Sequence, residues 1–151
     1  MEDIRLVYEQ DGTTHIVKPT PDFLSKPEST LEILVERSIP PGVAYDVVSP
    51  ADIPEDRYFR NAWCCNQGKI EIDRPKAEAI HMDKLREIRN EKLKAEDIEY
   101  QKALEYRDDA LMNAVANRKK KLRDMPANTD LSNLSLDGLK SYVPDVLKEG
   151  V

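Results

Sequence analysis

A chain of 151 residues with a formal net charge of −6, 34% charged and 40% hydrophobic, has material for one domain, or one small domain with an appendage, and a slim core. No run of about 18 apolar residues occurs, which argues against a membrane-spanning helix. The acidic start Met1-Glu2-Asp3 lacks the basic and apolar regions of a signal or transit peptide. Five glycines leave little material for a phosphate-cradling loop or a nucleophile elbow, and neither pattern is present.

In chain order, Ile4 to Tyr8 and Thr14 to Val17 are rich in strand formers. Asp11-Gly12 lies between them, and such a pair favours a tight hairpin turn. Lys18 to Pro27 holds three prolines and reads as a loop. Ser29 or Thr30 can cap a short helix to about Arg37 that buries Leu31, Leu34 and Val35. Pro40-Pro41-Gly42 stops it, and Val43 to Val48 reads as a strand. Asp52 to Arg57 is a turn. Phe59 to Cys65 and Lys69 to Ile72 then flank Asn66-Gln67-Gly68 as a second hairpin.

From Arg74 the period changes to helical. Asp73 is a suitable N-cap and Pro75 sits where a missing N–H costs nothing. Apolar residues fall on two stripes, Ala77, Ile88, Ala95 and Met82, Leu85, Leu93, Tyr100, Leu104, with Ile80 and Ile98 at an edge. Tyr106 to Asp109 is a polar break. A second stripe follows, Leu111, Val115, Leu122 and Met125, with Arg118 in its gap and Pro126 closing it. So short a connection favours an antiparallel hairpin of 74–106 on 109–124, burying Leu85, Ile88, Leu111, Val115 and Leu122. At about 1.5 Å per residue the first helix outreaches the second by about 23 Å. Leu93, Ile98, Tyr100 and Leu104 are therefore expected to form an apolar strip that meets a partner, unless the tail covers it. In that tail, Ser135 can cap a short helix within Leu134 to Tyr142, ended by Pro144. The fold class expected is α+β. A β-rich head (1–73) precedes a helical hairpin (74–125) and a tail with a short helix (126–151).

Chemistry-bearing patterns are sparse. The two histidines, His15 and His81, are isolated in sequence, and His81 reads as a helix-flank residue. Adjacent Cys64 and Cys65 would form a strained disulfide, so free thiols and a reducing compartment are expected. Neighbouring strand residues also face opposite ways, which argues against one shared metal ion. No cofactor and no enzymatic activity are expected.

Two stretches read as interaction sites. Residues 1–73 carry 7 basic and 14 acidic side chains, whereas residues 74–124 carry 14 and 11. Within the latter, Arg118, Lys119, Lys120, Lys121 and Arg123 could touch nucleic-acid phosphates. No aromatic residue accompanies them, and a basic last turn lying against acidic neighbours is the simpler reading. In the head, Pro54 to Trp63 holds Arg57, Arg60 and Trp63, residue types that dominate binding hot spots. A structural joint, with Phe59 and Trp63 anchored in the core, is the alternative.

That last stretch resembles a known group. Asp52-Ile53-Pro54-Glu55-Asp56-Arg57-Tyr58-Phe59-Arg60-Asn61-Ala62-Trp63 is similar to a motif of small proteins encoded among bacteriophage and prophage tail genes. So are Pro40-Pro41-Gly42-Val43-Ala44-Tyr45 upstream and the helix start Lys76 to Arg86. Leu122-Arg123-Asp124-Met125-Pro126 resembles the end of their second helix, shared more loosely by tail-fibre assembly chaperones. The likeness covers about residues 40–145; Cys64-Cys65 departs from it. It implies a non-enzymatic tail-module protein, either a virion tail or tail-fibre component or an assembly factor. The implied partners are tail or tail-fibre proteins, or further copies of this chain, with no membrane. The implied location is the bacterial host cytoplasm during assembly, or the virion tail. A nucleic-acid-binding or regulatory phage protein using residues 118–123 is the alternative.

Overall fold

Asp11 and Gly12 take φ of 53° and 72°, the left-handed pair that a two-residue hairpin turn requires. They join β1 (Arg5–Gln10) to β2 (Thr13–Val17), in antiparallel register with Leu6 opposite Val17. The computed structural model describes residues 1–148, and the chain divides into two compact units, Met1–Ala77 and a second beginning at Glu78.

In the first unit, β3 (Tyr45–Val48) pairs with the other edge of β1, giving the strand order β2-β1-β3. Alternation sorts the side chains onto two faces. Leu6, Tyr8 and Val17 meet Leu34 of α2 (Leu31–Ser38) and Ile39 just after it. The opposite face carries Val7, Thr14 and Val48, all buried. There the Thr14 hydroxyl donates to the carbonyl of Trp63 at 2.6 Å, and Glu9 accepts from the Cys65 N–H at 2.9 Å. These bonds tie the sheet to a second hairpin, β4 (Trp63–Asn66) and β5 (Lys69–Ile72). Its turn, Gln67-Gly68, again has two positive φ angles, 50° and 75°.

Three local expectations are corrected here. The Pro-rich stretch expected as a loop contains α1 (Pro21–Ser25), because Thr20 caps it and Pro21 occupies the first turn. Phe59 is not in a strand: residues 60–62 form a 3-10 turn, and β4 starts only at Trp63. The third strand starts at Tyr45 rather than Val43, whose N–H instead bonds Pro40 across a turn.

The helical hairpin itself is as expected, though not every residue of its buried set. α3 (Arg74–Glu105) begins with Lys76 N–H donating to the Asp73 carboxylate at 3.3 Å, and α4 (Asp109–Asn128) returns beside it. Val115, Leu122 and Met125 are buried, as is Leu85. Ile88 and Leu111 are not: they stand 41% and 36% exposed. The buried face of α3 runs through Ala77, His81, Leu85, Glu96 and Ala103. The two expected stripes share Ala77 and Leu85 with this face but otherwise lie on either side of it, because His81 and Glu96 carry no apolar signal. His81, expected on a flank, is 3% exposed and its Nε2 lies 2.7 Å from the Tyr142 carbonyl. A carbonyl only accepts, so that nitrogen carries the proton.

Pro126 does not end α4. It lies in the last turn, where only one backbone bond is lost, and the helix runs on to Asn128. The Thr129 hydroxyl then donates to the Met125 carbonyl at 2.7 Å. The tail forms α5 (Leu136–Ser141), capped by Ser135 and ended before Pro144 as expected, and a further short helix, α6 (Asp145–Lys148), follows that proline. Leu139 and Leu147 of these helices are buried. Residues 149–151 of the expected tail lie outside the described residues. Among the described residues no helix is long and apolar enough to cross a membrane.

Candidate interaction surfaces

In the head, Trp63 is 2% exposed, which removes it as a partner anchor. It is the head's own anchor, with the Arg60 guanidinium 4.7 Å and that of Arg57 5.9 Å from its ring centroid. Arg60 also donates to the Thr14 carbonyl at 2.7 Å, so it closes the joint from the solvent side. Burial, and then the neighbouring Arg57 cation, hold Arg60 below its ordinary pKa. Arg57 is exposed and lies in no ion pair among the described residues. Of the three head residues singled out by the sequence, only the two arginines can meet a partner.

The two cysteines point to different neighbours. Cys64 Sγ donates to the Glu71 carbonyl at 3.6 Å, whereas Cys65 Sγ donates to the Asp46 carboxylate at 3.2 Å. Both are free thiols, and among the described residues no cluster of three or more His, Cys, Asp or Glu could hold a metal ion. Burial, the bond to Asp46 and its charge push Cys65 up to about 11. At pH 8 it is therefore overwhelmingly the neutral thiol. In a Cys64→Ser variant, alkylation of Cys65 by iodoacetamide at pH 8 should run at least about tenfold slower than that of a free peptide thiol. The rate should keep rising about tenfold per pH unit until near pH 11, after that of a free peptide thiol has levelled off. Peptide mass mapping against time measures this, and alkylation at the free-thiol rate would contradict the assigned environment.

In the hairpin, the basic cluster is largely spent on neighbours. Arg118 makes a bidentate pair with Glu96, both bonds 2.9 Å, and Glu96 itself is 2% exposed. That pairing holds the Arg118 guanidinium above its ordinary pKa. Lys119 pairs with Asp97 and lies 5.5 Å from the Tyr100 ring centroid; Lys120 pairs with Asp124 at 2.6 Å. Lys121 and Arg123 are exposed. The cross-helix pairs fix the hairpin register, since residues 96 and 97 face 118 and 119.

The expected apolar strip is divided. Leu93 and Tyr100 are half-buried, while Ile98 and Leu104 are 57% and 55% exposed. At about 100° per residue, Ile98 stands about 120° or more round the helix from the other three, so they share no single face. Leu104 instead belongs to the tip. With Tyr106, 83% exposed, and Leu111 it presents three large apolar side chains within eight residues of chain.

The backbone of this tip is closely specified. Asp108 N–H donates to the Ala103 carbonyl at 2.9 Å and Arg107 N–H to Leu104 at 3.1 Å, the paired bonds of a Schellman ending. Such an ending usually places glycine in the left-handed position, yet Arg107 occupies it with φ 55°. Asp108 next accepts from the Leu111 N–H at 3.0 Å and caps α4. The sequence showed only a polar break at 106–109. The signal that Tyr106 is displayed lies in the capping bonds, which turn the chain immediately after it. No protein-family model matches the chain, and no curated protein or solved structure matches it.

Proposed function

We propose that this chain is a non-enzymatic bacteriophage tail-module protein that works through protein–protein contact at the tip of its helical hairpin. It serves either as a tail or tail-fibre component or as a factor in fibre assembly. The observation that carries the contact is the display of Leu104, Tyr106 and Leu111 on a turn whose backbone groups are capped on both sides. Tyrosine and arginine are the residue types that concentrate binding energy, and Tyr106-Arg107 sits at the apex. A left-handed non-glycine residue costs of order 1 kcal/mol and is retained at functional turns more often than elsewhere. The tail context itself is supported by the resemblance of residues 40–145 described above.

The nucleic-acid alternative draws less support. Three of the five cationic side chains are held by Glu96, Asp97 and Asp124, which leaves Lys121 and Arg123 for phosphates. Affinity capture of the tagged chain from phage-infected cells tests the proposal. A tail or tail-fibre protein should co-purify with the native chain and be lost with Leu104→Asp. Recovery of nucleic acid in place of such a protein would overturn it. Mass spectrometry of purified particles then separates a virion component from a departed assembly factor.

A further inference from the structure

The head holds an open groove of about 410 Å³ at one end of the β1–β2 ribbon. Ile16 lies on the same face of the sheet as Arg5, and Lys18 continues that alternation past the end of β2. The facing wall is the Pro50–Arg60 segment, which contributes Ile53, Arg57 and Arg60. The charge here runs against the rest of the head. Of the 7 basic side chains in residues 1–73, four line this groove; of the 14 acidic ones, only Glu55 does.

Most of that positive charge is uncompensated. Arg5 pairs with Asp3, at 2.5 Å, but neither Lys18 nor Arg57 lies in an ion pair among the described residues. Arg60 is committed to the Thr14 carbonyl and the Trp63 ring, and its depressed pKa reflects burial together with the charge of Arg57. Between the cations the groove is apolar, with Ile16 and Ile53 flanked by prolines. No aromatic ring lines it, so it offers no platform on which bases could stack.

We propose that this groove is a docking site for an acidic peptide segment of a partner protein, with carboxylates on Lys18 and Arg57 and an aliphatic side chain against Ile16 and Ile53. Guanidinium groups favour carboxylates through paired hydrogen bonds, and the open shape admits an extended chain. The site rests on the head alone and does not require the tail reading. Electrostatic steering would speed association and make the affinity sensitive to salt.

The test uses the full-length chain and a fluorescein-labelled peptide alternating glutamate and leucine, read by anisotropy at low salt. Its controls are the same peptide with glutamine for glutamate and a single-stranded oligothymidylate. Lys18→Glu and Arg57→Glu change exposed side chains that make no ion pair among the described residues; Arg57 lies 5.9 Å from the Trp63 ring centroid, so circular dichroism verifies the folding of both. The acidic peptide should bind, the glutamine control at least about tenfold more weakly, and each variant about tenfold more weakly than the native chain. Absence of binding, equal affinity for the glutamine control, unchanged affinity in both variants, or tighter binding of oligothymidylate would each overturn the proposal.

Discussion

Trp63→Ala should destabilise the head by about 3–5 kcal/mol, the range for deleting a large aromatic side chain from a packed interior. Trp63 is 2% exposed, and its surroundings are fixed from several sides. Its carbonyl accepts from Thr14, the Arg60 side chain covers its ring, and Phe59 and Ala62 beside it are also buried. Truncation therefore leaves a cavity that cannot close without moving the 3-10 turn. The indole Nε1 is buried without a hydrogen-bond partner among the described residues, so Trp63→Phe removes an unsatisfied donor along with part of the volume. The phenylalanine variant should consequently lose much less than the alanine one. Urea unfolding followed by circular dichroism measures both. Equal losses would mean that ring volume is not what Trp63 contributes.

Leu122→Ala carries the second large expected effect, about 2–5 kcal/mol. Leu122 is 4% exposed and lies between Val115 and Met125 on the buried face of α4. Arg118, one turn earlier on that helix, locks the same interface through its pair with Glu96. With the register held there, the neighbours cannot slide to fill the space. A fall in helical content at a lower urea concentration with an unchanged m-value would fit a simple loss of packing. A loss under about 1 kcal/mol would place Leu122 outside the hairpin core.

Local chemistry made much of this fold legible. Asp11-Gly12 specified a turn that only residues tolerant of positive φ complete easily, and the 3.6-residue period of Val115, Leu122 and Met125 drew the right face of α4. On α3 the sequence shows Ala77 and Leu85 but not the rest of the buried face, for a physical reason. Its buried positions include His81 and Glu96, which are inside because a carbonyl and a guanidinium satisfy them, and those partners lie 61 and 22 residues away in sequence. No local pattern announces such pairs. Ile88, apolar but exposed, was drawn into the core by the same arithmetic.

The candidate surfaces divide in a similar way. Arg57 and Arg60 stood out by residue type, but the groove they share with Arg5 and Lys18 depends on tertiary proximity across about 50 residues of chain. The residue type of Trp63 fits both an anchor and a hot spot, and burial decides for the anchor. At the tip, Tyr106 looked like part of a polar linker. Its display depends on Arg107 adopting a conformation usually given to glycine, which residue identity argued against.

The most direct test of the proposed role compares two readouts for Leu104→Asp in the phage-borne gene. Leu104 is 55% exposed, so a carboxylate there should leave the thermal midpoint of the isolated protein within a few degrees of the native value. If the hairpin tip makes the functional contact, the yield of infectious particles should fall at least about tenfold while the midpoint holds, because a charge would be buried at the interface. Native particle yield with the variant, or a loss of yield that simply tracks a loss of thermal stability, would contradict a role for the tip.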